Sequence, residues 1–186
     1  VSDFDKLYED VMNAIPPDTF SKEATAVPKR VPTGTYKLTI AEKTLEVGEE
    51  TFKNGNPNPN AGRVMVRCKA TLEKDGVKAG TAFPDLSPVE KRTEKGRLDA
   101  PSQLWGHAIK TLDLVGSPNQ AVFDALGMYP FKSRVELTVK SPDGKFTNSP
   151  PGKTQDEWEA ELTSAGYDPA AYAFFNQVRS LGRWDG

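Results

Sequence analysis

The sequence predicts an all-β to α+β protein: a barrel-like β body with inserted short helices and helical N- and C-terminal extensions. Between residues 34 and 147, apolar residues recur with period two in several short stretches, the spacing of half-buried strands. One segment inside that region changes to helical spacing, and helical spacing returns on both flanks. The 15 Gly and 15 Pro among 186 residues punctuate the chain as short strands joined by turns require.

The chain divides into an N-terminal helix and linker (1–28), a core domain (29–147) and a C-terminal extension (148–186). Phe4, Leu7, Tyr8, Val11 and Ile15 share one helical face, with Ser2 as N-cap and Pro16-Pro17 as the stop. Residues 18–33 lack periodicity and read as a linker entering the body, broken by Pro28 and Pro32. The first strand has Tyr36, Leu38 and Ile40 facing in and Thr35, Lys37 and Thr39 facing out.

A polar loop, FKNGNPNPN from Phe52, separates it from a second strand. There Val64, Val66, Cys68, Ala70 and Leu72 alternate with Arg63, Met65, Arg67, Lys69 and Thr71, so one side is apolar and the other basic. Asp75-Gly76 is a hairpin turn, from which a third strand returns and ends at Phe83. Residues 84–100 mix Pro, Gly and charge without period and read as a long exposed loop.

Leu104, Trp105, Ala108, Ile109, Leu112 and Val115 then mark a helix, and Ser117-Pro118 opens a second one closed by Gly127. A fourth strand places Phe131, Ser133, Val135, Leu137 and Val139 inward, opposite Lys132, Arg134, Glu136, Thr138 and Lys140. Asp143-Gly144 turns the chain into a short fifth strand around Lys145 and Phe146. Beyond the breakers at 147–154, Thr154 and Glu157 form a capping box, and Asp168-Pro169 starts a last helix over AAYAFFNQVRSLG. Trp158, Leu162, Tyr172, Phe175, Val178 and Leu181 give this extension an apolar surface for the body or a partner.

The chemistry points away from catalysis. There is one Cys (Cys68) and one His (His107), so neither an internal disulfide nor a Cys/His metal cluster is expected, and no cofactor is implied. No G-x-x-x-x-G-K-[ST], H-E-x-x-H or G-x-S-x-G motif occurs, and His107 sits in a helical stretch without a nucleophile setting. Glu157 and Glu161 share a helix face, where solvated charge is the ordinary role. No apolar run approaches the roughly 20 residues of a membrane span, and the first residues do not resemble a signal peptide; a cytoplasmic protein without membrane contact is expected.

Charge is distributed unevenly. Residues 29–145 carry 19 Lys and Arg against 14 Asp and Glu, whereas the flanks carry 5 against 12. A basic body with acidic ends suits a polyanion partner, though solvated faces vary this much by chance. Basic outward positions beside aromatics are the ingredients of single-strand binding, where cations track phosphates and rings stack on bases. The candidate phosphate contacts are Lys37, Lys53, Arg63, Arg67, Lys69, Lys132 and Arg134. Phe52, Phe83 and Trp105 are the rings available for stacking; core packing suits Trp105 on its apolar helix face, while both roles stay open for Phe52. The loop at 52–60 then reads as a mobile finger leading into the basic strand.

VPTGTYKLTI at 31–40, KNGNP at 53–57, FPDL at 83–86, ALG at 125–127 and FKSRVELTV at 131–139 resemble phage-type single-stranded DNA-binding proteins with an OB-fold, over about residues 30–147. The resemblance implies a five-stranded OB-like barrel that binds single-stranded DNA without sequence preference or catalysis, in phage replication or recombination within the host cytoplasm. Replication proteins and further copies of the chain are the other partners it admits. The chain departs from that pattern in ending SLGRWDG rather than in an acidic run with a terminal aromatic. The rival expectation is a phage structural or accessory protein whose β body and terminal helices mediate assembly.

Overall fold

A computed structural model describes residues 28–59, 61–89 and 101–186; the expected N-terminal helix lies outside them. The described chain is mostly β, a nearly closed, barrel-like antiparallel sheet with three helices. The strands are β1 (Gly34–Val47), β2 (Val64–Lys74), β3 (Val77–Ala82), β4 (Asp85–Val89), β5 (Phe131–Lys140), β6 (Phe146–Asn148), β7 (Ala173–Val178) and β8 (Gly182–Arg183). The helices are α1 (Gln103–Thr111), α2 (Asn119–Ala125) and α3 (Gln155–Ser164). Eight strands stand where five were expected, in the order β3-β2-β1-β5-β6, with β4 on β2 and with β7 and β8 on β5.

β1 is much longer than its alternating core, because a bulge between Ile40 and Glu42 lets it continue along β2 as far as Val47. The bulge resets the parity, so Glu42, Thr44 and Glu46 continue the outward row begun by Lys37 and Thr39. Inward on this second half, Lys43 lies over the Phe123 ring and donates to the carbonyls of Phe123 and Asp124, where the negative end of the α2 dipole favours a cation. The β2–β3 turn has Asp75 at φ 52° and Gly76 at φ 76°, the paired positive angles of a tight hairpin.

The inward residues form one core. Leu38, Val66, Leu72, Leu86, Phe131 and Val135 from the sheet meet Trp105, Ala108, Val122 and Leu126 from α1 and α2, all fully or almost fully buried. Each large side chain removed from water there contributes about 1.5–3 kcal/mol before entropy is counted. Trp105 is 1% exposed, so its role is packing, and the stacking role considered for it is excluded by burial.

Three further expectations are corrected. Residues 85–89 are strand rather than loop, since Leu86 and Ser87 bury themselves against β2 and the Ser87 hydroxyl bonds the Val64 carbonyl. Residues 29–33 are part of the body rather than a linker. The Thr33 hydroxyl accepts from the Leu137 amide at 2.9 Å, and the Asn176 amide bonds both backbone groups of Val31 at 2.9 and 2.8 Å.

The expected last helix is only a 3₁₀ turn at Pro169–Ala171, followed by β7 and β8. Its apolar spacing of three fits a helix, but Phe174, Phe175 and Val178 favour strand, and pairing with six consecutive residues of β5 outweighs the helical spacing. The C-terminal part is therefore a helix, α3, plus two strands that complete the sheet. No described helix is long and apolar enough to cross a membrane.

Between β3 and β7 the sheet does not close by a ladder. Val31 fills that seam, buried at 3% exposure; a Cβ added at Gly80 on β3 would stand 2.6 Å from its Cγ1. The position needs glycine because the seam leaves no space for a side chain.

Candidate nucleic-acid interface

The outward face of the sheet carries nearly all the expected cations, and the strand register decides their neighbours. Lys78, Glu73, Lys37 and Lys132 form one row across β3, β2, β1 and β5. Arg134 lies next along β5, opposite Thr35. Further along β2, Lys69 faces Glu42, while Arg67 faces Asp85 on β4 and makes an ion pair with Glu46 at 2.9 Å. The basic side of β2 is thus matched, cation by cation, with carboxylates. The β1–β5 corner is different: Lys37 shares Glu73 at 3.5 Å, and among the described residues Lys132 and Arg134 make no ion pair.

Directly opposed like charges on neighbouring strands destabilise a sheet. Lys37 and Lys132 are such a pair; Glu73 offsets the charge on the Lys37 side only, and an aromatic ring lies beside Lys37 as well. Lys37 Nζ lies 5.8 Å from the centre of the Trp184 ring, a cation–π arrangement. Arg183 and Trp184 border a cleft of about 430 Å³ whose other walls include Tyr129, Pro130, Thr111 and Asp113. Tyr129 is 61% exposed.

A strap after β7 fixes the position of Trp184. Leu181 is buried in the core, its carbonyl accepting from the Thr111 hydroxyl at 2.7 Å and its amide donating to His107 Nδ1 at 3.4 Å. The Ser133 hydroxyl donates to Ser180 O at 2.7 Å, and the Arg134 amide donates to Ser180 Oγ at 3.1 Å. β8 then pairs Gly182 with Lys132 and Arg183 with Phe131, and the next residue, Trp184, comes to lie beside Lys37. His107 is a positioning group for this strap, and the hollow beside it is lined by Lys110, Thr111 and residues 180–182.

A second group gathers at the loop between β1 and β2. Phe52, Arg63 and Arg67 line one hollow of about 230 Å³ with Glu46 and Met65; Lys53 is exposed nearby in the sequence. The loop is not the free finger its composition suggests. Phe52 and Asn56, Gly55 and Phe52, and Asn58 and Glu50 are joined by backbone hydrogen bonds of 2.9–3.0 Å, and Asn58 Nδ2 bonds Glu49 O at 2.8 Å.

Phe83 stands apart from both groups. It lines a notch at the β3–β7 seam with Phe175, Arg30, Thr81 and Asn176. Sequence reasoning missed Trp184, Arg183, Tyr129, Phe175 and Arg30. Local pattern gave no signal for them, because their meeting depends on the pairing of β7 and β8 with β5.

Cys68, buried on the inner side of β2, has its thiol pushed up to about 12, chiefly by burial and further by the Asp85 charge. It offers no nucleophile at neutral pH. Among the described residues no cluster of His, Cys, Asp and Glu could hold a metal ion. Compared with known protein families, curated proteins and solved structures, the chain matches none of them.

Proposed function

We propose that this protein binds single-stranded DNA, non-catalytically and without sequence preference, as an OB-like barrel acting in DNA replication or recombination of the phage type. The observation that carries the reading is the β1–β5 corner. Lys37 and Lys132 oppose one another in register beside Trp184, with Arg183 and the exposed Tyr129 on the adjoining cleft. A phosphate between the lysines relieves their repulsion, and an unpaired base finds a ring within reach.

The architecture supports it as well. A long, bulged β1 shared by β2 and β5, with helices inserted before β5, suits an OB-like body whose outer face carries the strand. Phosphate contacts make the test one of salt. Anisotropy of a labelled oligothymidylate should show binding at low ionic strength, with log K falling linearly in log salt by about 0.7 per phosphate neutralised. No binding at low salt, or an affinity indifferent to salt, rules the reading out. Such a result, combined with a stable multimer in light scattering, would favour the assembly role instead.

A further inference from the structure

We infer that the notch between β3 and β7 is a second base-stacking site, in which Phe83 and Phe175 hold an unpaired base of the same strand that lies on the Lys37–Lys132 corner. The inference rests on the proposed single-strand binding and extends it to a path and a length.

Phe83 and Phe175 come from the two opposite edges of the sheet, yet both line this one notch, and both rings are solvent-exposed at 62% and 41%. Two exposed phenyl rings across a seam are costly to leave in water, and a flat aromatic ligand is the shape that two rings accept. The rest of the lining is polar. Arg30, held by its Nε–H bond to the Phe174 carbonyl at 3.2 Å, brings a cation to the rings, and Thr81 and Asn176 lie beside it. A cation next to paired rings suits a base with its phosphate better than an apolar peptide side chain.

Register links the notch to the corner. Phe175 pairs with Thr138, which has the same parity on β5 as Lys132, Arg134 and Glu136. From Lys132 to the level of Phe175 the row runs about 20 Å, at roughly 3.3 Å per residue; its last member on β5, Thr138, is 2% exposed, so the open surface at that end is the Phe175 ring. The one carboxylate on that row, Glu136, is covered by Arg179 at 2.9 Å, so the route carries no bare negative charge. A strand leaving the corner therefore passes Arg134 and Arg179 before it meets the rings, a span within the roughly 4–16 nucleotides that single domains of this kind cover.

The experiment is a length series of oligothymidylates titrated against the wild-type protein, Phe83→Ala, Phe175→Ala, Phe175→Leu and the double alanine variant, with a thermal melt of each. Phe83 is 62% exposed, so Phe83→Ala should melt as the wild type does; the variants at Phe175, 41% exposed on β7, should melt somewhat lower but stay folded at the assay temperature. For oligonucleotides that reach both places, each alanine should weaken binding by roughly 5- to 150-fold, the worth of one stacked base. Phe175→Leu should lose nearly as much as Phe175→Ala, while the shortest oligonucleotides that bind should be indifferent to all four changes. Ultraviolet crosslinking of oligothymidylate to the wild type should mark Phe83 or Phe175.

If the wild type binds but the alanine variants bind equally well at every length, the second site is wrong and the corner stands alone. Full rescue by leucine would likewise overturn stacking. If the wild type binds no oligonucleotide, the single-strand reading itself fails and this inference with it.

Discussion

Lys37 illustrates how far one side chain can be placed from its own sequence context. The alternation of residues 35–40 puts it on the outward face, and the structure agrees. Its neighbours are another matter, since Glu73, Lys132 and Trp184 come from three other strands or their flanks and no local pattern announces them. The same holds for Arg67 and Lys69, legible as outward cations but not as partners of Glu46 and Glu42. Three predictions belong at this scale. Lys132→Ala should weaken oligonucleotide binding and lower the salt slope by about 0.7, whereas Trp184→Ala should cost about 1–3 kcal/mol and leave the slope unchanged. Cys68, buried and with its pKa raised, should resist thiol reagents at pH 8 in the native protein and react fully in denaturant, which a chromogenic disulfide assay reads directly.

Elements with strong local signals were legible. The β2–β3 turn, the alternation of β2 and β5, and both inserted helices follow from the residues that form them. The start of α3 was equally clear: the Thr154 hydroxyl accepts from the Glu157 amide at 3.1 Å. Thr154→Ala should therefore destabilise the protein by about 1 kcal/mol in urea unfolding, and Thr154→Ser should restore most of it. What was missed depends on tertiary pairing. The second half of β1 lacks clean alternation because a bulge resets its parity, and β7 carries a three-residue apolar spacing that fits a helix and is overridden by its pairing with β5. In the candidate site, the contacts on β1, β2 and β5 were readable by parity, while the aromatic side waited on β8.

The whole molecule is held shut by contacts between distant parts of the chain. Asn176→Ala removes both hydrogen bonds to Val31 and should cost about 1–3 kcal/mol, with the seam exchanging amide hydrogens faster than the β1–β2 ladder. A second tie at the same end is ionic and exposed. Lys29 reaches Glu159 at 2.8 Å; this contact holds the Glu159 carboxyl below its usual range and the Lys29 ammonium above its own. The contribution is therefore present between the two ordinary pKa values. It fades in acid as pH falls through the lowered Glu159 value, and in strong base as pH rises through the raised Lys29 value. A Glu159→Gln variant should melt slightly below the wild type near pH 7, with the gap closing in acid once pH has fallen through the lowered Glu159 value and shrinking in high salt.

The seam also sets an order for biosynthesis. Val31 leaves the ribosome among the first residues of the body, but Asn176, its partner, follows 145 positions later. Until then β3 and the outer edge of β5 stand open, and neither Leu181 nor Trp184 exists to complete the cleft. Pairings across such separations close slowly. A nascent chain of this protein is thus a half-sheet with bare edges and an unfinished corner. It becomes competent for its proposed ligand only once β7, β8 and Trp184 have followed, so the interval before they emerge is the one most exposed to aggregation.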